Sequence, residues 1–232
     1  MAGTYQAGDR TKAEILQGSR KLFFKKGYSD TTYNDISELL NINRALIPYH
    51  FKSKQALALT IYNDITETVI SRSDELLDIA SMSDDLAAAF HLIIFYRLFM
   101  SRQFTNLVCD LMKDNSEILI NTDFEKQSLK NLSGKYASND EETDILINSM
   151  CAIRLSLIKK IQENFYSSEK SAGKKNIVSY FDIYARTYIN YALRYIGTKD
   201  NDISELVNAA VQLANLIDIE IHPEFKVLVS YK

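Results

Sequence analysis

Apolar residues recur every three or four positions along most of the chain, which is the spacing of one face of an α-helix. No tract alternates like a series of strands between turn signals. The pattern predicts an all-α protein whose carboxy-terminal segment, residues 219–232, receives no assignment. Helices are predicted over residues 11–27, 31–41, 44–50, 54–79, 83–115 with a break near Ser101, 121–138, 140–168, 174–197 and 202–218.

Polar residues mark the ends of the first two predicted helices. Thr11 with Glu14 has the spacing of a capping box, and Gly27 is suited to ending a helix after two lysines. Thr31 or Thr32 caps the second helix. The sequence therefore predicts two helices separated by a short loop.

The third predicted helix is very short and contains a proline. Asn41 tolerates the left-handed backbone that a sharp turn needs, and Asn43 is a suitable cap for a helix over residues 44–50. Pro48 would remove the bond to the carbonyl of Arg44 at the fifth helical position. Ser53 then caps a long fourth helix, which would link two parts of the protein rigidly.

Composition fits a helical protein, and charge separates the chain into two parts. Only 7 of the 232 residues are Gly and 2 are Pro. Residues 1–60 hold nine Lys or Arg against five acids, whereas the remainder holds 18 against 25, within an overall charge of −3. This basic amino-terminal part suggests an anionic partner, and a solvated lysine-rich helix face is the alternative.

The sequence shows no feature of a secreted or membrane protein. Its amino terminus lacks the apolar core of a secretory signal, and the most apolar stretch, residues 86–100, is too short to span a bilayer. Cys109 and Cys151 lie far apart among apolar neighbours. We therefore expect a cytoplasmic protein with two packing thiols, and a redox switch is the alternative.

Two short helices joined by a three-residue turn and braced on both sides follow the plan of a helix-turn-helix, whose second helix enters the major groove. Residues 11 to about 60 resemble the DNA-binding domain of TetR-family transcriptional repressors. The resemblance rests on Gly27-Tyr28, Thr32, Asp35-Ile36, the turn Asn41-Ile42-Asn43 and the run RALIPYHFKSKQAL. One departure is Pro48, where similar proteins usually carry an aromatic residue.

The resemblance implies two domains and a set of residues at the DNA. Residues 1–55 would form the helix-turn-helix domain, and residues 56–232 a larger helical domain for effector binding and dimerisation. Arg44 would read guanine, and Ala45 and Leu46 could meet a thymine methyl. Asn43 would open the recognition helix. The residues that suit phosphate oxygens are Thr32, Tyr33, Tyr49, His50 and Lys54, although His50 has a packing role as its alternative. The expected contacts are Thr32, Tyr33, Asn43, Arg44, Ala45, Leu46, Tyr49, His50 and Lys54.

The larger domain is expected to hold a dimer interface and a ligand pocket. The resemblance implies a homodimer whose last two long helices pack against their copies. The dimer residues would be Tyr184, Tyr191, Val207, Val211 and Ala214. A mostly apolar pocket for a small hydrophobic ligand would be lined by His91, Phe95, Phe99, Phe104, Cys109 and Met112.

No motif for catalysis, metal binding or a cofactor stands out. HExxH, Cys-x-x-Cys, GxSxG and phosphate-cradling glycine loops are all missing from the sequence. The acidic run over residues 140–144 is typical of a first helical turn. We therefore expect neither an enzyme nor a metal site, and no cofactor.

These observations favour a dimeric repressor that leaves a palindromic double-stranded operator when ligand tilts the fourth helix. Two alternatives stay open. One is the same architecture responding to a protein partner or to oxidation. The other is a helical interaction module with a degenerate DNA-reading head, which Pro48 and the acidic net charge would favour.

Overall fold

The computed structural model describes residues 2–114, 140–166, 177–195 and 198–232, and helices make up most of them. The predicted helix over residues 121–138 lies outside this part. Helix is the predominant structure, as predicted, and no described helix is both long and apolar enough to cross a membrane. The helices are α1 Ala2–Lys26, α2 Tyr33–Leu40, α3 Leu46–Phe51, α4 Lys54–Leu77, α5 Asp84–Leu98, α6 Arg102–Asp114, α7 Asp140–Ile161, α8 Ile177–Tyr195 and α9 Asp200–Ala214.

Helices α1, α2 and α3 form a small amino-terminal unit, called here the head. Its core is made of apolar side chains from each helix, including the fully buried Ile15, Ile36 and Ile47. A Cβ on Gly18 of α1 would lie 2.9 Å from a methyl carbon of Leu40, so this position lets α2 approach closely. The head is therefore packed as the helix-turn-helix pattern requires.

The first helix is longer than the sequence pattern predicts. It begins at Ala2, so Thr11 lies inside the helix and the predicted capping box with Glu14 is wrong. Glu14 instead accepts a hydrogen bond from Nε of Arg10, 2.9 Å away. Residues 2–10 contain no proline, so the helix can extend on the amino-terminal side of its predicted start at residue 11.

Helix α4 connects the head to the rest of the molecule without a break. Ser53 caps it as predicted, because its hydroxyl accepts the Ala56 N–H at 2.9 Å. The helix ends at Leu77, and Asp78 follows with a left-handed backbone at φ 49°. We call the remaining helices, α5 to α9, the body.

The body is built around α5, which is buried on nearly all sides and packs against α4, α8 and α9. Because α5 is buried on several sides, its apolar residues are not confined to one face of the helix. Arg97 of α5 forms two hydrogen bonds of 2.8 Å with the carboxylate of Asp182 on α8, and both side chains are almost fully buried. The paired charges offset each other's desolvation at the centre of the body.

The carboxy-terminal segment, which the sequence pattern left unassigned, forms an antiparallel hairpin of β1, Ile217–His222, and β2, Lys226–Tyr231. Residues Pro223–Phe225 make its turn, with positive φ angles at Glu224 and Phe225. The alternation of apolar and polar residues in IDIEIH was present in the sequence but was not recognised there, because the run is only a few residues long. The all-helical prediction is therefore corrected at this end.

Candidate nucleic-acid interface

The first helix of the helix-turn-helix begins with a complete capping box. The Thr32 hydroxyl accepts the Asp35 N–H at 3.2 Å, and the Asp35 carboxylate accepts the Thr32 N–H at 2.7 Å. The Lys26 ammonium donates to the same carboxylate at 2.9 Å. This bond and those from Thr32 lower the pKa of Asp35 to about 2, so the carboxylate stays charged at physiological pH.

Two asparagines shape the turn between α2 and α3. Asn41 has a left-handed backbone at φ 52°, as the sequence predicted, and ends α2. The side-chain oxygen of Asn43 accepts the Ala45 N–H at 2.9 Å. The regular helix starts only at Leu46, so the predicted start at Arg44 is corrected.

The late start of α3 accommodates Pro48. Because α3 begins at Leu46, Pro48 is its third residue, where the N–H of any residue would lack an intrahelical partner. The Arg44 carbonyl was expected to lack a hydrogen bond because of Pro48. It instead accepts the Ile47 N–H at 3.2 Å. The proline is therefore tolerated in the first turn, and the predicted loss of a helical bond at the fifth position does not occur.

One side of α3 faces solvent and the other closes the head. Ile47 and Phe51 are buried, whereas Arg44 is exposed and Tyr49 is 80% exposed. Lys52, which was not among the predicted contacts, is an exposed cation just after α3 whose backbone has a φ of 60°. Its position between the aromatic run and Ser53 could have suggested it. The exposed residues here are Asn43, Arg44, Ala45, Pro48, Tyr49 and Lys52.

The remaining residues predicted to contact DNA differ in how exposed their side chains are to solvent. Thr32 is exposed at the start of α2, and Tyr33, Leu46 and His50 are partly buried. The His50 ring packs edge-on against Tyr49, with ring centroids 5.0 Å apart. The Lys54 ammonium is turned inward and donates to the carbonyls of Tyr28 and Thr31, both at 3.0 Å. Lys54 thus ties the head together in this structure.

The head also contacts the body through the loop after α1. The buried Tyr28 donates its hydroxyl hydrogen to the carboxylate of Asp114 at the end of α6. Burial, reinforced by this bond, raises the pKa of Tyr28. The Ser29 N–H donates to Asp110 Oδ2 at 3.3 Å. The end of α6 is therefore hydrogen-bonded to the loop that precedes the helix-turn-helix.

The six residues predicted to line a ligand pocket fall into three groups. Phe95, Phe99 and Phe104 are buried. The Phe99 ring packs edge-on against both others, with its centroid 5.4 Å from that of Phe95 and 5.3 Å from that of Phe104. His91 Nε2 hydrogen-bonds Asp74 Oδ1 at 2.6 Å and so joins α5 to α4. Cys109 and Met112 line a cavity of about 230 Å³ between α6 and α7, together with Lys113, Lys159 and Gln162.

The residues predicted at a dimer interface do not share one surface. Tyr184, Val207 and Ala214 are buried within the chain itself, because their sides of α8 and α9 pack on α5. Tyr191 is 58% exposed and Val211 is half-buried. The outward stripe of α8 is made instead of residues four apart: Ile183, Thr187, Tyr191 and Tyr195.

The described residues contain no cluster of three His, Cys, Asp or Glu side chains that could hold a metal ion. No disulfide joins Cys109 and Cys151, which are both buried. Burial raises the pKa of the Cys109 thiol to about 12, which disfavours the reactive thiolate.

Comparison with known proteins supports the interpretation of the head. Residues 15–61 match the family model for bacterial regulatory proteins of the tetR family. This range contains α2, the turn, α3 and the start of α4, which carry the exposed residues described above.

Curated relatives match only part of the chain. The probable HTH-type transcriptional regulator ArpR of Pseudomonas putida is 27% identical over 50% of this chain and 58% of its own. The HTH-type transcriptional regulator TtgR, also of Pseudomonas putida, is 32% identical over 28% of this chain and 31% of its own. The matches thus span less than two thirds of these relatives.

Solved structures share the overall fold at low sequence identity. RolR, in a complex with the ligand resorcinol, gives a TM-score of 0.54 at 15% identity, covering 87% of this chain and 95% of RolR. RolR without ligand gives the same TM-score at 17% identity and covers 84% of this chain and 95% of RolR. The likeness therefore extends beyond the head and includes the body.

Proposed function

Because residues 15–61 match the model for the tetR family of bacterial regulatory proteins, we propose that this protein is a homodimeric repressor that binds a palindromic DNA operator through α3 and is released by a small hydrophobic ligand. Residues 1–55 would read DNA, and residues 56–232 would bind ligand and dimerise. The exposed side of α3 carries the proposal, because Arg44, Tyr49 and Lys52 face solvent on or beside this short helix.

The chemistry of this surface suits a major groove and its phosphates. Arg44 precedes the first turn of α3, so its guanidinium can reach the O6 and N7 atoms of guanine. Thr32, Tyr49 and Lys52 suit phosphate oxygens on either side of the groove. Lys54 is a weaker candidate than the sequence suggested, because its ammonium already donates to two backbone carbonyls.

The dimer would form through α8 and α9, as the fold of the family implies, and of the two residues first expected on α8 only Tyr191 lies on the exposed stripe. The stripe of Ile183, Thr187, Tyr191 and Tyr195 places exposed apolar area on α8. Arg186 Nη1 donates to Asn208 Oδ1 at 2.9 Å, which aligns the adjoining surfaces of α8 and α9. A two-fold contact would bury this stripe against its copy.

Ligand would act through α6. The cavity lined by Cys109 and Met112 lies on the same helix as Asp110 and Asp114, whose carboxylates bond the loop after α1. A ligand that prefers a shifted α6 would weaken these bonds, allow α4 to tilt and change the separation of the two α3 helices. At about 230 Å³ the cavity suits a compact ligand, and RolR offers a precedent with resorcinol.

Two observations bear on the alternatives. Both thiols are buried and the pKa of Cys109 is raised, which disfavours oxidation as the signal. Pro48 sits where it removes no helical bond, which takes away the main argument for a degenerate head.

The deciding experiment is fluorescence anisotropy on the DNA upstream of the coding region, with a shuffled duplex and a salt series. Selective binding that weakens with salt is expected, because phosphate contacts release counterions. Equal, weak binding to both duplexes would contradict an operator at that place. For the ligand, Met112→Trp would fill the cavity. Compounds that weaken DNA binding by the native protein should lose this effect in the variant.

A further inference from the structure

The carboxy-terminal hairpin lies against the head as well as against the body. The ring of Phe225, in its turn, is buried and packs edge-on against Phe24 of α1, with centroids 5.2 Å apart. Gln17 Nε2 donates to Glu224 Oε2 at 2.8 Å. Strand β2 also packs along α4. A segment about two hundred positions away in the sequence therefore covers one side of the first helix.

Arg20 of α1 is at the centre of this contact. Its side chain is only 11% exposed. One guanidinium nitrogen donates to the carbonyl oxygen of Phe225 at 3.3 Å, and another pairs with the carboxylate of Asp64 on α4. The planar guanidinium can serve both acceptors at once, which a single ammonium group would do less well. One side chain thus joins α1, α4 and the hairpin turn.

The other end of the hairpin is fixed to the body. Only Asn215 and Leu216 separate β1 from α9. Arg97 of α5 donates to Asn215 Oδ1 at 2.8 Å and to the Ala214 carbonyl, while it also holds Asp182 of α8. The hairpin therefore begins at a buried polar network shared by three body helices.

The turn conformation shows that the contact is specific. Glu224 and Phe225 both have left-handed backbones, at φ 63° and 57°, which residues other than glycine rarely adopt. This backbone directs the Phe225 ring toward α1 and its carbonyl toward Arg20. A loosely attached tail would relax to an unstrained turn.

We propose that Arg20 is a positioning residue for DNA reading: through it, the carboxy-terminal hairpin fixes the orientation of the head relative to the α8–α9 surface. This inference rests on the proposed function. In a dimer built on α8 and α9, the spacing of the two α3 helices depends on every connection between head and body. The hairpin supplies a connection besides α4 and the bonds between α6 and the loop after α1.

The test combines hydrogen exchange, read by mass spectrometry, with DNA binding by the full chain. Arg20→Ala should speed amide exchange over residues 217–232 about tenfold or more, and weaken operator binding about tenfold. Exchange in α8 and α9 should not change. Lys21→Ala is the matched control, since it removes the same charge from an exposed neighbouring position of α1. Arg20→Lys, which can pair with Asp64 but not hold both acceptors, should give an intermediate result.

Each outcome decides one part of the proposal. Unchanged exchange over residues 217–232 in Arg20→Ala would overturn the connection itself. Faster exchange with native DNA affinity, measured well below the melting temperature, would reduce Arg20 to a structural role. If Arg20→Ala does not fold, the same criteria apply to Arg20→Lys. If the native protein binds no operator, the proposed function fails, and the exchange measurement still decides whether the connection exists.

Discussion

The polar contacts that shape the head and those that shape the body join residues at different distances along the sequence. In the turn of the head and at the start of α4, the side chains that cap helices bond residues at most three positions away: Thr32 with Asp35, Asn43 with Ala45, and Ser53 with Ala56. In the body, Arg97 reaches Asp182 and Asn215, more than eighty positions away. The head can therefore be recognised in a short stretch of sequence, whereas the body depends on contacts that no short stretch contains.

Buried polar groups without a hydrogen-bond partner among the described residues occur in both regions, and the Ser19 hydroxyl is one of them in the head. The Tyr28 hydroxyl, at the edge of the head, is bonded to Asp114. The hydroxyls of Tyr96 and Tyr188 are buried in the body with no hydrogen-bond partner among the described residues. Each such group costs about 1–3 kcal/mol. The head and the body therefore both accept this cost at a few buried positions.

The largest effect should come from breaking the aromatic core of the body. Phe99→Ala removes a fully buried ring that contacts Phe95 and Phe104, and should lower the free energy of unfolding by about 3–5 kcal/mol. Chemical denaturation would measure it. Leu76→Ala, at a residue 41% exposed, is the control and should change stability little. A loss below about 1 kcal/mol for Phe99→Ala would mean that the core is loosely packed.

The second largest effect is expected on DNA binding by the exposed side of α3, and the stability of the protein should not change. Arg44→Ala should weaken operator binding by about 1–3 kcal/mol, because a bidentate contact to guanine is lost. Anisotropy titration measures the affinity. Arg72→Ala, an exposed arginine of α4 paired with Glu75, is the matched control for charge. Equal losses in the two variants would show that Arg44 contributes charge alone.

A smaller effect is expected at the cap of α2. Thr32→Ala removes the hydroxyl that accepts the Asp35 N–H and should destabilise the protein by about 1 kcal/mol. Thr60→Ala removes a hydroxyl that bonds within α4, and should be nearly neutral. Thermal unfolding distinguishes them. Similar melting temperatures for both variants would contradict the importance of local capping in the head.

The smallest effect is a pH dependence that Asp35 should confer. Because the pKa of Asp35 is lowered to about 2 in the folded state, its contribution is present above its ordinary pKa of 3.8 and is lost as pH falls toward 2. Asp35→Asn should flatten the fall in melting temperature between about pH 5 and 2.5. Asp84→Asn, at the start of α5, is the comparison. Parallel curves for native protein and Asp35→Asn would contradict the assignment.

The range of the interactions explains what the sequence could predict. The sequence predicted a cap for α2 at Thr31 or Thr32, a turn at Asn41 and a cap at Ser53, because each depends on neighbours within four residues. The structure has the α2 cap at Thr32. The hairpin was missed because its stability comes from α1 and α4 rather than from its own short strands. The cap at Thr11 was predicted wrongly because a local signal was present where the helix simply continues.

The body residues show the limit of periodicity more clearly. Spacing along α8 identified an apolar face but not which face meets this chain and which could meet another. Tyr184 therefore proved to be buried internally, and the exposed stripe contains Ile183. Likewise, Cys109 and Met112 line a cavity, whereas Phe99 fills the core. The sequence marked these side chains as apolar, and only tertiary packing separates their roles.

The length of α4 has a consequence for how little the body needs to move. Its 24 residues span about 36 Å at a rise of ~1.5 Å per residue. Acting as a rigid lever pivoted at Leu77, it would carry Ser53 and the adjoining α3 by about 3 Å for a rotation of about 5°. That displacement is roughly the rise of one base pair, ~3.4 Å along the duplex. A few degrees at the body end would therefore suffice to shift α3 by about one base pair on its site.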